Sequence, residues 1–223
     1  MKIRAYLSII GVILTALISG YILFQVITQN FEPGELGLVG VFITSLLSHL
    51  TVIARDMFIP LFMPLTNIYH PVLLGFLAGT GGAIGEVTTY VLGYGVAESI
   101  EEQERKNEDK ILKWIEKYGL WAVLLVSLTP LPDTPIIILA GSRRLPFWKL
   151  LCIEILGKTG LYSFGAVIGG IVFFTMENTL GEILTSTLVV VASILFAFLV
   201  TWKTSRNYIF EWTEKIVNKL SLS

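Results

Sequence analysis

Apolar and polar positions along the chain fall into long blocks, not the short periods of an amphipathic surface helix or a half-buried strand. Tyr6–Thr28 supplies about the 20 apolar residues that a bilayer core requires. Gln29–Leu36 reads as a short acidic turn with Glu32, Pro33, Gly34 and Glu35. Gly37–Ala54 is apolar, Arg55 and Asp56 interrupt it, and Met57–Tyr69 resumes it with Pro60 and Pro64 inside. Pro71–Gly95 is a glycine-rich span. Val96–Tyr118 is polar, opens on a capping-box pattern at Ser99–Glu102, and carries Glu101/Arg105 and Glu102/Lys106 at helical i,i+4 spacing. Its second half, with Ile111, Ile115 and Tyr118 on one face, is expected along the membrane surface. Leu120–Leu128 and Ile136–Ala140 are apolar flanks around Pro130, Pro132 and Pro135. Leu150–Phe174 and Ile183–Trp202 read as two further spans. In the tail, Ile209, Trp212, Ile216 and Leu220 share a face beside Lys215 and Lys219, an interfacial pattern.

Composition sharpens the class. Apolar residues make up 54% and charged ones 15%, against roughly 45–50% and 25% in a soluble domain, and mean hydropathy is +0.74. A multi-spanning membrane protein follows. The net charge of −1 says nothing about partners, and the placement of charge carries the information instead; no nucleic-acid partner is expected of such a membrane protein. Cys152 is the only cysteine, so no intramolecular disulfide can form. The basic N-terminus is followed by an apolar stretch too long for a signal peptide and without a small-x-small cleavage site, which predicts a retained span.

The prolines decide the shape of two segments. A helix cannot run straight through Pro130, Pro132 and Pro135, because each ring removes an N–H and fixes φ. Non-helical backbone at membrane depth survives only where protein or a wet cavity supplies hydrogen-bond partners. This stretch therefore reads as a re-entrant hairpin (119–142), and Gly37–Tyr69 as either a full span plus a broken segment or a second hairpin. Positive charge selects the second. With both segments as hairpins, the outer turns hold no Lys or Arg, and every basic residue except the intramembrane Arg55 and Lys158 falls on the cytoplasmic side. Both termini are then cytoplasmic in a multi-pass protein of the cell membrane. The expected fold is all-α, with about four transmembrane helices and two opposed re-entrant hairpins arranged as an inverted repeat. Weak self-similarity fits: Gly85-Glu86-x-x-x-Tyr90-x-x-Gly93 matches Gly157-Lys158-x-x-x-Tyr162-x-x-Gly165.

Candidate chemistry lies in the ionisable residues at membrane depth: Arg55, Asp56, Glu86, Asp133, Glu154 and Lys158. Each costs roughly 2.5–3.5 kcal/mol near the centre of an inserted helix, so they must pair, line a wet cavity or be neutral. Glu154 and Lys158, four apart with Glu first, read as a structural pair. Arg55-Asp56 is a tip pair or a functional one. Glu86 has no counter-charge on its helix and is a candidate proton-linked group, although Lys158 or an arginine across the bundle is an equally physical partner. Asp133 is either functional or the cap of the helix restarting at Pro135. Arg143 and Arg144 either anchor the cytoplasmic side or clamp phosphate, which guanidinium binds bidentately. Gly79–Gly85 lacks the strand a dinucleotide loop needs, so no cofactor is expected; its GxxxG spacings allow close helix approach instead. His49 and His70 belong to no metal-ligand motif, and no nucleophile–base arrangement points to an enzyme.

The run Pro130-Leu-Pro-Asp133…Ala140-Gly-Ser-Arg-Arg-Leu-Pro-Phe-Trp-Lys149…Gly157 resembles the signature of the DedA/VTT-domain (SNARE-associated Golgi protein) superfamily, and Gly81-x-x-x-Gly85-Glu86-x-x-x-Tyr90-x-x-Gly93 resembles that family's first span. The resemblance covers roughly Gly37 to Phe174. It divides the chain into an N-terminal anchor and outer turn (1–36), a VTT-like core (37–175) and a last helix with a basic tail (176–223). Two departures stand out: Ser127 occupies a position where the family usually has arginine, and the P-G-E/S of the first loop is missing, leaving Asp56 as the nearest acid. The resemblance implies a flippase- or scramblase-type lipid transporter for a polyprenyl phosphate or phospholipid, often proton-linked. Arg144, Arg143, Arg55, Asp133 and Lys158 would then bind substrate, and Glu86, Asp56 and Asp133 would couple protons. Self-association into a homo-oligomer is left open. A small-cation antiporter and a non-transporting scaffold are the alternatives.

Overall fold

The computed structural model describes residues 2–28, 33–52, 54–99, 119–129 and 133–181, with residues 184, 185, 188 and 191. Among them every regular element is helical. Helix α1 spans Lys2–Thr28 and α2 Pro33–Leu50. A single turn, α3 (Ile59–Phe62), lies between the 3-10 turns Arg55–Phe58 and Met63–Asn67. Then come α4 (Pro71–Gly85), α5 (Val87–Ser99), α6 (Leu120–Ser127), α7 (Thr134–Ser142) and α8 (Phe147–Leu180). Tyr6–Thr28, Pro71–Gly95 and Phe147–Leu180 are long and apolar enough to cross a bilayer. The chain is thus an all-helical membrane protein. The predicted span Ile183–Trp202, the polar segment beyond Ser99, the tail and Pro130–Pro132 lie wholly or mostly outside the described residues.

Three boundaries differ from the sequence reading. The acidic turn at 29–36 is shorter, because Pro33 opens α2, which then bends at Gly37 (φ 53). The turn predicted at Glu177–Glu182 is largely helix. There the Thr175 and Thr179 hydroxyls donate to the carbonyls four residues back, and α8 stops at Gly181 (φ 82). At about 1.5 Å per residue α8 is roughly 50 Å long, well beyond a bilayer core of about 30 Å. The span Pro71–Gly95 is two helices that meet at Glu86, whose N–H still bonds to the Gly82 carbonyl at 3.1 Å.

Small residues set the helix directions. Gly75 abuts the backbone of Ser163 and Gly79 that of Thr159, so α4 and α8 are antiparallel. Gly81 abuts Phe42 and Leu46 while Gly85 abuts Leu46 and Leu50, so α4 runs parallel to α2. The chain between them must therefore return to the level where α2 began, and Tyr69 indeed stands beside Gly37. In the second half Ser127 meets Gly157 and Leu128 meets Gly160, the same parallel sense for α6 and α8. Each returning arm packs on the later part of the other long span. Met63 and Thr66 lie against Gly169 and Gly170 of α8, and Ile138 of α7 lies against Gly93 of α5.

Two apolar clusters result. One joins Val41, Phe58, Phe62, Leu65, Leu74, Ala78 and Ala166; the other joins Ala122, Val123, Val126, Ile136, Ile137, Ala140 and Leu150. Helix α1 packs on α5 and α2 and presents Leu7, Leu14, Leu17, Ile18 and Phe24 outward, an apolar surface suited to lipid.

Candidate functional site

Where α2 ends, the chain reverses sharply. Val52 takes φ 67, costly for a β-branched residue, and the Thr51 hydroxyl accepts the Ala54 N–H at 2.8 Å. The reversal places Arg55 at the head of the first returning arm, three residues before Phe58 of one apolar cluster. Asp133 heads the second returning arm, three residues before Ile136 of the other. It occupies the N-cap position of α7, yet its carboxylate makes no capping bond. It contacts the Arg55 guanidinium and the Lys158 ammonium instead, and the Thr134 hydroxyl accepts a further hydrogen bond from Arg55. Asp133 is therefore not spent on capping.

Glu86, at the joint of α4 and α5, contacts Arg55 and lies 3.5 Å from Lys158. Lys158 in turn lies 3.5 Å from Glu154 on its own helix. Ser127, the last residue of α6, bonds to the Glu154 carboxyl. Glu86, Asp133, Glu154 and Lys158 are all buried, and Arg55 is nearly so. Three carboxylates from three different elements thus share two cations at the junction of the two returning arms.

Other candidate residues stand apart. Asp56, adjacent to Arg55, is exposed and outside the cluster. Arg143 and Arg144 follow the far end of α7, on the order of 15 Å along the chain from Asp133. Arg144 is held with φ 55 and lies over the Tyr94 ring at 4.8 Å. Beside it the Tyr90 hydroxyl donates to the Leu145 carbonyl at 2.9 Å, tying the end of the second returning arm to α5.

His49 belongs to the site's wall and was not singled out by sequence. Its Nδ1 lies 2.8 Å from the Ser45 carbonyl, so that nitrogen carries the proton, and Nε2 accepts from the Tyr162 hydroxyl at 3.0 Å. The link joins α2 to α8 one turn beyond Lys158. Its signal in the sequence was the polar stripe Ser45, Ser48 and His49 at i, i+3, i+4 in an otherwise apolar helix.

Antiparallel and parallel spans packed through glycines, with an ion cluster buried between two interrupted segments, define a polytopic helical membrane protein. The sequence profile of the VTT domain matches residues 57–169, just over half of the chain. The chain belongs to the VTT-domain family, that of DedA and SNARE-associated Golgi proteins. No curated protein and no solved structure matches it. The matched stretch contains Glu86, Asp133, Arg143, Arg144, Glu154 and Lys158, whereas Arg55 and His49 precede it.

Proposed function

We propose that the protein is a proton-coupled lipid transporter of the cell membrane, flippase or scramblase in type, moving a phosphate-bearing lipid between leaflets. The lipid class is a polyprenyl phosphate or a phospholipid. In this reading 37–69 and 119–142 are re-entrant hairpins entering from opposite faces, related as an inverted repeat, with both termini cytoplasmic. The observation that carries it is the contact of the two returning arms through Arg55 and Asp133, with Glu86 and Lys158 beside it. Broken helices meeting over charged groups near a midplane suit a substrate site that opens alternately to each side. Parallel α2/α4 and α6/α8 pairs, and the exchange of returning arms between the two long spans, support the two-fold relation.

In this mechanism Arg144, with Arg143, receives the headgroup phosphate at the cytoplasmic end of the second hairpin, and Arg55 and Lys158 attract it toward the cluster. The acyl or prenyl tail stays in lipid. Entry of phosphate competes with Glu86 and Asp133 for the two cations, so the ion pairs that latch the tips loosen as the headgroup arrives. A change in the protonation of a carboxyl in the cluster shifts the same ion pairs and links headgroup movement to protons.

The test is leaflet exchange of labelled phosphate lipids in reconstituted vesicles. Glu86→Gln and Arg144→Gln should each slow exchange by at least tenfold. Unchanged exchange in both refutes the assignment. A second reading, a small-cation antiporter, draws on the Lys158 ammonium, which sits among three carboxylates as a bound cation would. It predicts cation-driven pH change in vesicles without lipid movement.

A further inference from the structure

We propose that the cluster holds one exchangeable proton and that its seat is Glu154, bound through Ser127. Two independent observations converge on it. The first is charge. Around Glu154 stand Lys158 on its own helix, Glu86 from the α4–α5 joint, Asp133 from the head of α7, and Arg55 from the first returning arm. Among the described residues, three carboxylates against two cations leave one negative charge unbalanced at a depth where an unpaired charge is costly. Asp133 contacts both cations, and Glu86 contacts one and lies 3.5 Å from the other. Among the described residues Glu154 has only the ammonium as a cation, at 3.5 Å, and its buried Oε2, like that of Glu86, has no hydrogen-bond partner. It is the least compensated of the three.

The second observation is a count of hydroxyl protons. Ser127 Oγ lies 2.9 Å from the Val123 carbonyl oxygen and 2.5 Å from Glu154 Oε1. A serine hydroxyl has one proton to donate, and a backbone carbonyl has none. If Glu154 were a carboxylate, one of these short contacts would set two lone-pair oxygens against each other. With the proton on Glu154 Oε1 both become hydrogen bonds: Glu154 donates to Ser127, and Ser127 donates to Val123. The carbonyl oxygen Oε2 then faces the Lys158 ammonium, and the cluster is neutral. When the proton leaves to water, the Ser127 hydroxyl turns to the new carboxylate, which draws Lys158 away from Asp133. Coupling of that shift to headgroup movement rests on the transport reading; the position of the proton does not.

Infrared spectroscopy of the purified protein separates the two. A protonated carboxyl band that shifts in deuterium oxide should be present at neutral pH. It should move in Ser127→Ala, weaken in Asp133→Asn and Glu86→Gln, which leave two carboxylates for the two cations, and vanish in Glu154→Gln, which keeps the side chain's shape and an acceptor for Ser127. Absence of the band in the wild type, or its survival in Glu154→Gln, overturns the proposal. If Glu154→Gln lacks the band yet exchanges lipid with an unaltered pH profile, the proton seat stands and the coupling fails.

Discussion

Removing the ammonium at the centre of the cluster offers the sharpest test of how it is balanced. In Lys158→Met the aliphatic stem is retained and only the charge is lost. The 3.5 Å pair to Glu86 is worth about 5 kcal/mol between full charges at an effective dielectric near 20, whereas Lys158 faces only a neutral carboxyl at Glu154. The gain from no longer burying an ammonium offsets several kcal/mol of that. Breaking a buried pair by deleting one partner typically nets about 3–5 kcal/mol of destabilisation. For a chain of this size, at about 2–4 °C per kcal/mol, the apparent melting temperature should fall by roughly 6–20 °C. The second-site response is more telling than the fall. Without Lys158, Arg55 alone faces Glu86 and Asp133, so Glu86→Gln on that background restores a one-to-one pair and should recover part of the loss. Glu154→Gln should recover almost nothing, because a neutral carboxyl there has no charge to relieve. Tryptophan fluorescence melts in detergent at one scan rate read all four proteins. A Lys158→Met variant as stable as the wild type, or rescue by Glu154→Gln in preference to Glu86→Gln, would refute the reasoning.

Three further expectations test other links. A β-carbon on Gly79 would lie 2.5 Å from the Thr159 backbone nitrogen, so Gly79→Val must push α4 off α8. It should cost about 3 kcal/mol or more in a thermal melt, while Gly11→Val, with nothing within 4 Å, should stay within about 0.5 kcal/mol. Tyr162→Phe keeps the ring contact with Phe58, centroids 5.2 Å apart, but deprives the buried His49 Nε2 of its donor. A loss of about 1–3 kcal/mol is expected, and a neutral result would remove the α2–α8 link from the account. Trp121 and Trp148, 70% and 75% exposed near the starts of α6 and α8, should lie at one membrane interface. In single-tryptophan variants, lipids brominated near the headgroup should quench both more strongly than lipids brominated at the chain ends.

The sequence made some of this legible because it is local chemistry. Long apolar blocks give the helices, prolines mark the short turns within 59–67 and the restart at Thr134, and glycine spacing gives the close crossings. The i,i+4 spacing of Glu154 and Lys158 could be read from one helix. For Glu86 the sequence offered Lys158 or an arginine as partner, and both lie beside it; the partners of Arg55 and Asp133 could not be read. Arg55 and Asp133 are far apart in the chain and meet only because both returning arms fold back to the same place. Asp133 looked like a cap because an acid before a restarting helix often is one; two cations at contact outcompeted a single backbone N–H for its carboxylate. Helix α8 overran its predicted end because threonine hydroxyls there bond to their own helix, so the polar residues do not act as stops.

Opposite charge at matching positions follows from the same geometry. In the two self-similar motifs Glu86 and Lys158 are equivalent, and they lie 3.5 Å apart. A pair of related segments that cross near their own two-fold axis brings each such position against its counterpart. Identical ionised residues there would repel by about 5 kcal/mol at an effective dielectric near 20, so a duplicated acid or a duplicated base is disfavoured in place. One acid and one base turn the repulsion into attraction of equal size. The tips obey the same constraint, with Arg55 in one arm and Asp133 in the other. Under the two-fold reading, then, the motifs should be most alike in their glycines and tyrosines, which serve packing, and least alike in the charged residues on the axis. Gly85 and Gly157, Tyr90 and Tyr162 are retained, while Glu86 and Lys158 differ in sign. On that reading, the charge difference that weakens the resemblance between the halves is what lets them meet.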